Sequence, residues 1–198
     1  MATETIPCPW APADDPLYRE YHDTEWGVPE YDDRALFEKL ILDGFQAGLS
    51  WRTILYKRDN FRKAFDGFEP EKIARYTPRK VEKLLANPGI IRSQSKIQAT
   101  IGNAQAFLNI MDHHDGGFAA FLWDFFDGKP LNNEWVDYRD APTKSPQSEA
   151  MSKALKQKGF KFCGPVIVYA FCQAVGMIND HEVRCPRHEE VKKLAKVL

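Results

Sequence analysis

The chain has 198 residues, with 27 Lys and Arg against 28 Asp and Glu, a formal net charge of −1. At this length one domain, or two closely packed lobes, is the default, and roughly 70% of the unfolded surface can be buried without a disulfide or metal to complete the core. No apolar run approaches the ~20 residues of a membrane span, MATETIPCPW has neither part of a secretory leader, and four Cys are too few for a disulfide scaffold.

In chain order, the first forty residues hold ten acids and three bases, so they carry −7 and the remainder +6. That asymmetry permits a basic face for a polyanion, although a plain solvated surface is the commoner explanation. Asp33 then caps a helix carrying Leu36, Phe37, Leu40 and Ile41 at helical spacing, which is expected to stop near Gly44. A second helix is expected from about Ser50 through Ile54, Phe61 and Phe65. Thr77-Pro78 reads as an N-cap followed by proline in the first turn, with Val81, Leu84 and Leu85 as the apolar side.

Asn87-Pro88-Gly89 breaks the chain, and a new helical period runs through Ile97, Ile101, Ala104, Leu108 and Met111. Residues 112–117 and 127–147 read as loop, and Ala150–Gln157 as helix ending at Gly159. Val166–Val175 is apolar and reads as a buried helix, since no other segment offers a strand to pair with it. The expected class is all-α.

Four features bear on chemistry. The helical hairpin around Gly89 exposes backbone N–H groups at the start of its second helix, where Arg92 and Lys96 add charge, an arrangement suited to phosphate. An ordinary hairpin has the same pattern. His181 and Cys185 lie four apart, on one face if the segment is helical, and with Cys8 and His22 make a Cys2His2 set suited to tetrahedral zinc. The spacing is not that of a standard finger, His188 is a rival ligand, and unrelated surface residues remain the alternative. His181-Glu182 begins like H-E-x-x-H but meets Cys185 where the second His belongs, and no P-C-x-x-C follows. Any zinc held by four protein ligands is therefore structural. Cys163 and Cys172 sit in an apolar stretch and read as core.

Trp10, Tyr18, Tyr21, Trp26 and Trp51 crowd the first 51 residues among acids, which suits either core packing or a flat, electron-poor ligand. In LILDGFQAGLSW (40–51), Asp43 sits where it opposes a helix dipole, and Leu49 stands between Gly48 and Ser50 like a wedge at a loop tip. No P-loop, G-x-G-x-x-G or G-x-S-x-G frame is present.

With CPW (8–10), DPLYREYHDTEWGVPE (15–30), DGFQAGLSWRTIL (43–55), GIIRSQSKIQATIGNA (89–104), SKALKQKGFKFCG (152–164) and NDHEVRC (179–185), the chain resembles the 3-methyladenine DNA glycosylase I (Tag) family of the helix-hairpin-helix superfamily. YHDTEWG together with QAGLSW is the specific part. The resemblance implies a single glycosylase domain over 1–198, with a helix-hairpin-helix lobe at 34–145. Residues 1–33 and 146–198 would form a second, zinc-stabilised lobe joining the termini.

It further implies structural zinc on Cys8, His22, His181 and Cys185, and a damaged-base pocket of Trp10, Tyr18, Tyr21, Trp26, Asp43 and Trp51. Trp51 would be the stacking platform, Asp43 the reader of the base's amine, and Tyr21 a contact to the purine edge. DNA contacts are implied at Leu49, Gly89, Arg92 and Lys96. The implied activity is excision of 3-methyladenine from alkylated duplex DNA, without strand nicking, by a monomer in the cytoplasm. A non-catalytic damage-binding module and a zinc-stabilised interaction domain are the rival readings.

Two positions depart from the family pattern. Asp43 stands where Glu is usual, one methylene shorter, which lengthens its bond to the base or routes it through water. Ile91 replaces the hairpin's common second Gly. Asp112 and Asp115 read as solvated loop residues with no catalytic part.

Overall fold

The computed structural model describes residues 6–196, and they are mostly helical. In order come α1 (Pro16–Thr24), α2 (Asp33–Gln46), α3 (Trp51–Leu55), α4 (Arg58–Ala64), α5 (Pro70–Ile73), α6 (Pro78–Ala86), α7 (Gln94–His113), α8 (Gly117–Trp123), α9 (Pro146–Gln157), α10 (Pro165–Ala174) and α11 (Pro186–Lys192). Two short strands, β1 (Leu131–Asn132) and β2 (Ile178–Asn179), pair in parallel.

Local chemistry explains most boundaries. Asp15 caps α1 by accepting from the Tyr18 N–H, and Pro16 supplies a preset first turn. The cap of α2 is Asp32, one residue before the expected Asp33. Asp33 instead accepts the Ala119 N–H at 2.7 Å and pins the start of α8.

Nor does α2 stop at Gly44. A side chain there would lie 3.3 Å from Phe162, so Gly44 marks a close approach of two segments and the helix continues to Gln46. The expected helix from Ser50 to Phe65 is two, broken at Tyr56-Lys57. Ile54, Phe61 and Phe65 nevertheless all face the core, because the break preserves their side.

Thr77 caps α6 as expected, and α10 is the buried helix expected from Val166–Val175. α9 starts four residues earlier than expected, at Pro146, with Ser145 and Ser148 in a reciprocal capping box. Residues 112 and 113 complete α7 rather than opening a loop. The rest of the expected loop, 127–145, is irregular apart from β1 and one 3-10 turn at Tyr138–Asp140.

One aromatic-rich core runs through the fold, including Phe37, Phe45, Phe61, Phe65, Phe107 and Phe118. α10 packs against α2 and α9, and α7 against α2, α5, α6 and α8. The N-terminal segment runs beside the C-terminal one: Ile6 N–H donates to Arg184, Gly27 N–H to Ala174, and Glu30 N–H to Val175. The segments carrying the aromatic and Cys/His motifs are thereby brought together from opposite ends of the chain.

Candidate base pocket and metal centre

α1, α2, α3 and α10 enclose a cleft of about 240 Å3. Trp10, Tyr18, Tyr21, Trp26, Asp43 and Trp51 all line it, so the structure brings together every residue of the expected pocket. The rings form a contiguous wall. Trp10 meets Trp26 edge-on at 4.8 Å between centroids and Tyr18 at 5.6 Å. Tyr18 and Tyr21 are near-parallel, and Tyr21 lies 5.4 Å from Trp51. Asp15 ties this wall together by accepting the Tyr56 hydroxyl at 2.7 Å and pairing with Arg52, so α1 is held to α3.

Two polar atoms in this wall are buried and unpaired: Oδ2 of Asp43 and Nε1 of Trp51. Native interiors rarely leave such atoms without a partner. One is an acceptor and the other a donor, and both belong to side chains lining the same cleft. Asp43 itself is 2% exposed. Burial pushes its carboxyl upward, and the charge and hydrogen bond of Lys39 pull it back. Burial, followed by the Asp43 charge, raises the Tyr21 phenol well above its ordinary value, keeping it a neutral donor.

Sequence reasoning missed the cleft's other polar lining residues, Lys39, Gln46, Tyr138, Gln173 and Asp180, and three alanines, Ala141, Ala170 and Ala174. Lys39 is the cation among them, with Nζ 2.5 Å from Asp43 Oδ1 and 3.9 Å from the Trp51 ring centroid. Its spacing four residues before Asp43 was a usable signal. Asp180 had none. It is buried and accepts from Asn133, Trp135, Tyr169 and Gln173, fastening the irregular 133–135 segment to α10. Glu182 continues that strap by accepting the Tyr138 N–H at 2.9 Å.

Behind the aromatic wall, Cys8, His22, His181 and Cys185 are all buried, with ligand atoms within 4.8 Å of one another. Cys8 Sγ lies 3.5 Å from His181 Nδ1, and Cys185 Sγ lies 3.6 Å from His22 Nε2 and 3.7 Å from His181 Nδ1. These spacings match the edges of a tetrahedron around zinc, about 3.3–3.8 Å for ordinary Zn–N and Zn–S bonds. The remaining ring nitrogens are oriented as in metal sites: His22 Nδ1 faces Asp23 at 2.6 Å, and His181 Nε2 faces the Trp26 carbonyl at 3.0 Å. The donor set therefore fits zinc.

His181 and Cys185 do not share a helix face as their spacing suggested. They lie in the turn between β2 and α11, with Cys185 capping α11. His188 stands outside the cluster, its Nε2 on the Asn133 carbonyl at 2.8 Å. Cys163 and Cys172 are core residues as expected. The centre and the pocket share a wall, since Trp10 packs on His22 and Trp26 on His181.

The third expected surface is split. Leu49 is 42% exposed at the tip of the α2–α3 turn, and Arg92 is exposed beside the α6–α7 turn. The Gly89 N–H is taken by the Asn87 side chain at 2.8 Å. Lys96 points inward: its ammonium donates to the Phe45 and Ala47 carbonyls at 2.8 and 2.7 Å, holding the end of α2 beneath the Leu49 turn. Asp112 and Asp115 are exposed and are not among the residues that line the pocket.

The relationships of the chain agree with this geometry. A family model described as methyladenine glycosylase matches residues 10–188. The chain is 48% identical to DNA-3-methyladenine glycosylase 1 of Escherichia coli over 178 residues, 90% of this chain and 94% of that protein. A crystal structure of a 3-methyladenine DNA glycosylase I superposes with a TM-score of 0.88 at 50% identity, covering 91% of this chain and 98% of the other. A variant of such an enzyme in complex with 3-methyladenine superposes at 0.87 with 40% identity, over 90% and 95% of the two chains.

Proposed function

The chain belongs to the methyladenine glycosylase family, and from that premise we propose how its own residues carry the reaction. The protein hydrolyses the N-glycosidic bond of 3-methyladenine in alkylated DNA, the excision step of base repair. Alkylation at N3 makes the adenine cationic and weakens its bond to the sugar, so the leaving group needs little acid catalysis. The enzyme must extrude the nucleotide, hold the base and exclude unmodified adenine. Water then bonds to the sugar carbon and gives up a proton to solvent, as the base takes the electrons of the broken glycosidic bond and departs neutral. The reading assigns no amine nucleophile, so the strand is left intact.

In this reading the flipped base stacks on Trp51 between the walls of Trp10, Tyr18, Tyr21 and Trp26. Oδ2 of Asp43 accepts from the exocyclic amine, and Tyr21 meets the purine edge. The single observation that supports this most directly is the pair of buried, unpartnered polar atoms carried by two residues that line the aromatic cleft. Leu49 enters the gap left in the duplex. The Gly89–Arg92 turn and the start of α7 take backbone phosphates in the manner of a helix-hairpin-helix element. Lys96 supports the Leu49 turn from inside, in place of the direct phosphate contact its spacing suggested.

Zinc on Cys8, His22, His181 and Cys185 would be structural, since four protein ligands leave no open position. It would clasp the terminal lobe, residues 1–33 and 146–198, and through Trp10 and Trp26 stiffen the pocket wall. The remaining lobe, 34–145, carries the hairpin. We take the working unit to be one chain on duplex DNA. Among the described residues no helix is long and apolar enough to cross a membrane.

Base release from methylated duplex DNA, with products identified by mass spectrometry, tests the reading. Free 3-methyladenine with little 7-methylguanine is expected. No release by a folded, zinc-loaded sample would overturn it in favour of a damage-binding module. Asp43→Asn should lose most of the activity while leaving DNA affinity intact.

A further inference from the structure

Lys39 is the feature of the pocket that the reaction above leaves unused. It projects from α2 one turn before Asp43, is 15% exposed, and places its ammonium on Asp43 Oδ1 and against the face of Trp51. It therefore touches both groups that would read the flipped base. The other charged and titratable groups near Asp43 cannot replace it. Tyr21 faces it from α1 as a neutral phenol, and Cys172 from α10 as a buried thiol. The nearest further cation, Arg58 of α4, holds both oxygens of Glu25 at 2.5 and 2.8 Å. Asp180, also in the lining, is saturated by its four donors.

We propose that Lys39 is a positioning residue that sets the edge specificity of the pocket: by clamping Oδ1 it keeps Asp43 ionised, with Oδ2 as a lone acceptor. The inference rests on the glycosylase reading of the cleft. An ionised carboxylate oxygen accepts and never donates. It takes an exocyclic amine, the edge adenine presents, and repels a carbonyl oxygen, the edge guanine presents at the same place. A protonated Asp43 would present an O–H and accept either edge, so losing the clamp would relax the choice. A buried carboxyl without a cation favours that neutral state. Sites that leave a buried polar group unpaired with the wrong ligand are the ones that discriminate strongly.

The test measures excision of 3-methyladenine and 3-methylguanine between pH 5.5 and 9 by wild type, Lys39→Met, Lys39→Arg and Lys39→Met/Asp43→Asn. In Lys39→Met the acid limb of kcat/KM for 3-methyladenine should move up by about one pH unit or more, the scale of losing one close opposite charge. Its activity near pH 9 should approach wild type. Below the limb, the ratio of 3-methylguanine to 3-methyladenine released should rise several-fold. Lys39→Arg should restore the wild-type profile, and the double variant should show no limb of this origin.

A merely structural lysine would lower the rate evenly at all pH values, and that parallel profile would overturn the proposal. Carbon NMR of the Asp43 carboxyl, recorded on free wild type and Lys39→Met, reads the ionisation without any substrate. An unchanged titration there also overturns the clamp. A raised titration in an enzyme that excises nothing would leave the clamp standing and sink the glycosylase reading instead.

Discussion

Asp180→Asn should destabilise the protein and loosen the pocket at the same time. The carboxylate is 2% exposed and accepts four hydrogen bonds. Oδ1 takes Asn133 Nδ2 and Trp135 Nε1, each at 2.7 Å; Oδ2 takes the Tyr169 hydroxyl at 2.7 Å and Gln173 Nε2 at 2.8 Å. An amide keeps one oxygen for one pair and turns its NH2 toward the other. The adaptable pair is Tyr169 and Gln173, because a hydroxyl can accept and a glutamine amide can flip. Four charge-assisted bonds then become neutral ones, each weaker by about 0.5–1 kcal/mol, so the loss is roughly 2–4 kcal/mol. At about 2–4 °C per kcal/mol for this chain length, Tm should fall by roughly 5–15 °C. Thermal unfolding followed by circular dichroism, at fixed salt and metal, measures it. Because the same bonds hold residues 133–135 near Tyr138, a pocket-lining residue, KM for methylated DNA should rise. A Tm within 2 °C of wild type would refute the view that Asp180 is the fastening of this segment.

Trp51→Leu should cut kcat/KM by about 5- to 150-fold, the worth of one base–aromatic stack of roughly 1–3 kcal/mol, while unmodified DNA binds as before; single-turnover kinetics and a binding titration separate the two. Zinc analysis should find one ion per chain, and chelation should lower the Tm of wild type but not of Cys185→Ser, which should already be low. Gly27→Ala should weaken the metal centre from outside it. Gly27 has φ +80°, and a Cβ would sit 2.8 Å from His181 Nε2, which faces the Trp26 carbonyl. Loss of about 1–3 kcal/mol in unfolding and a tenfold or greater drop in zinc affinity are expected.

What was legible in the sequence follows its physics. Helix existence was legible because burial imposes a period, and Leu36, Phe37, Leu40 and Ile41 are all buried as their spacing required. Helix ends were less so, since they depend on particular contacts: Gly44 reads as a stop only if nothing packs on it, and Phe162 does. The aromatic and Cys/His sets were visible as candidates in the residues, but choosing them over core packing and unrelated surface residues needed the likeness to a family. Their members come from both ends of the chain, and no local rule pairs Cys8 with Cys185 across the fold. The strap of 127–147 was legible as loop, but not its path across the pocket. It lacks periodicity, and what orders it lies 40 to 50 residues away: the carboxylates of Asp180 and Glu182 and the pairing of β1 with β2.

Lys39 and Asp43 also expose a conflict between binding and stability. A buried ion pair with an unfilled acceptor costs desolvation that its own attraction does not fully return. Both charges lie on one helix, four residues apart, beside the apolar faces of Trp51 and Ala174. Replacing both by apolar residues of similar length, Lys39→Met with Asp43→Leu, removes the penalty without leaving either charge alone. Such exchanges are often neutral or stabilising, by about 1–4 kcal/mol. The double variant should therefore unfold at or above the wild-type temperature and release no 3-methyladenine. Asp43→Leu alone should be less stable than the double, because it leaves the ammonium buried without its partner. If the double variant unfolds well below wild type, the ion pair is part of the fold's own stability. If it instead matches wild type in stability but still excises, the unpaired oxygen is not what reads the base.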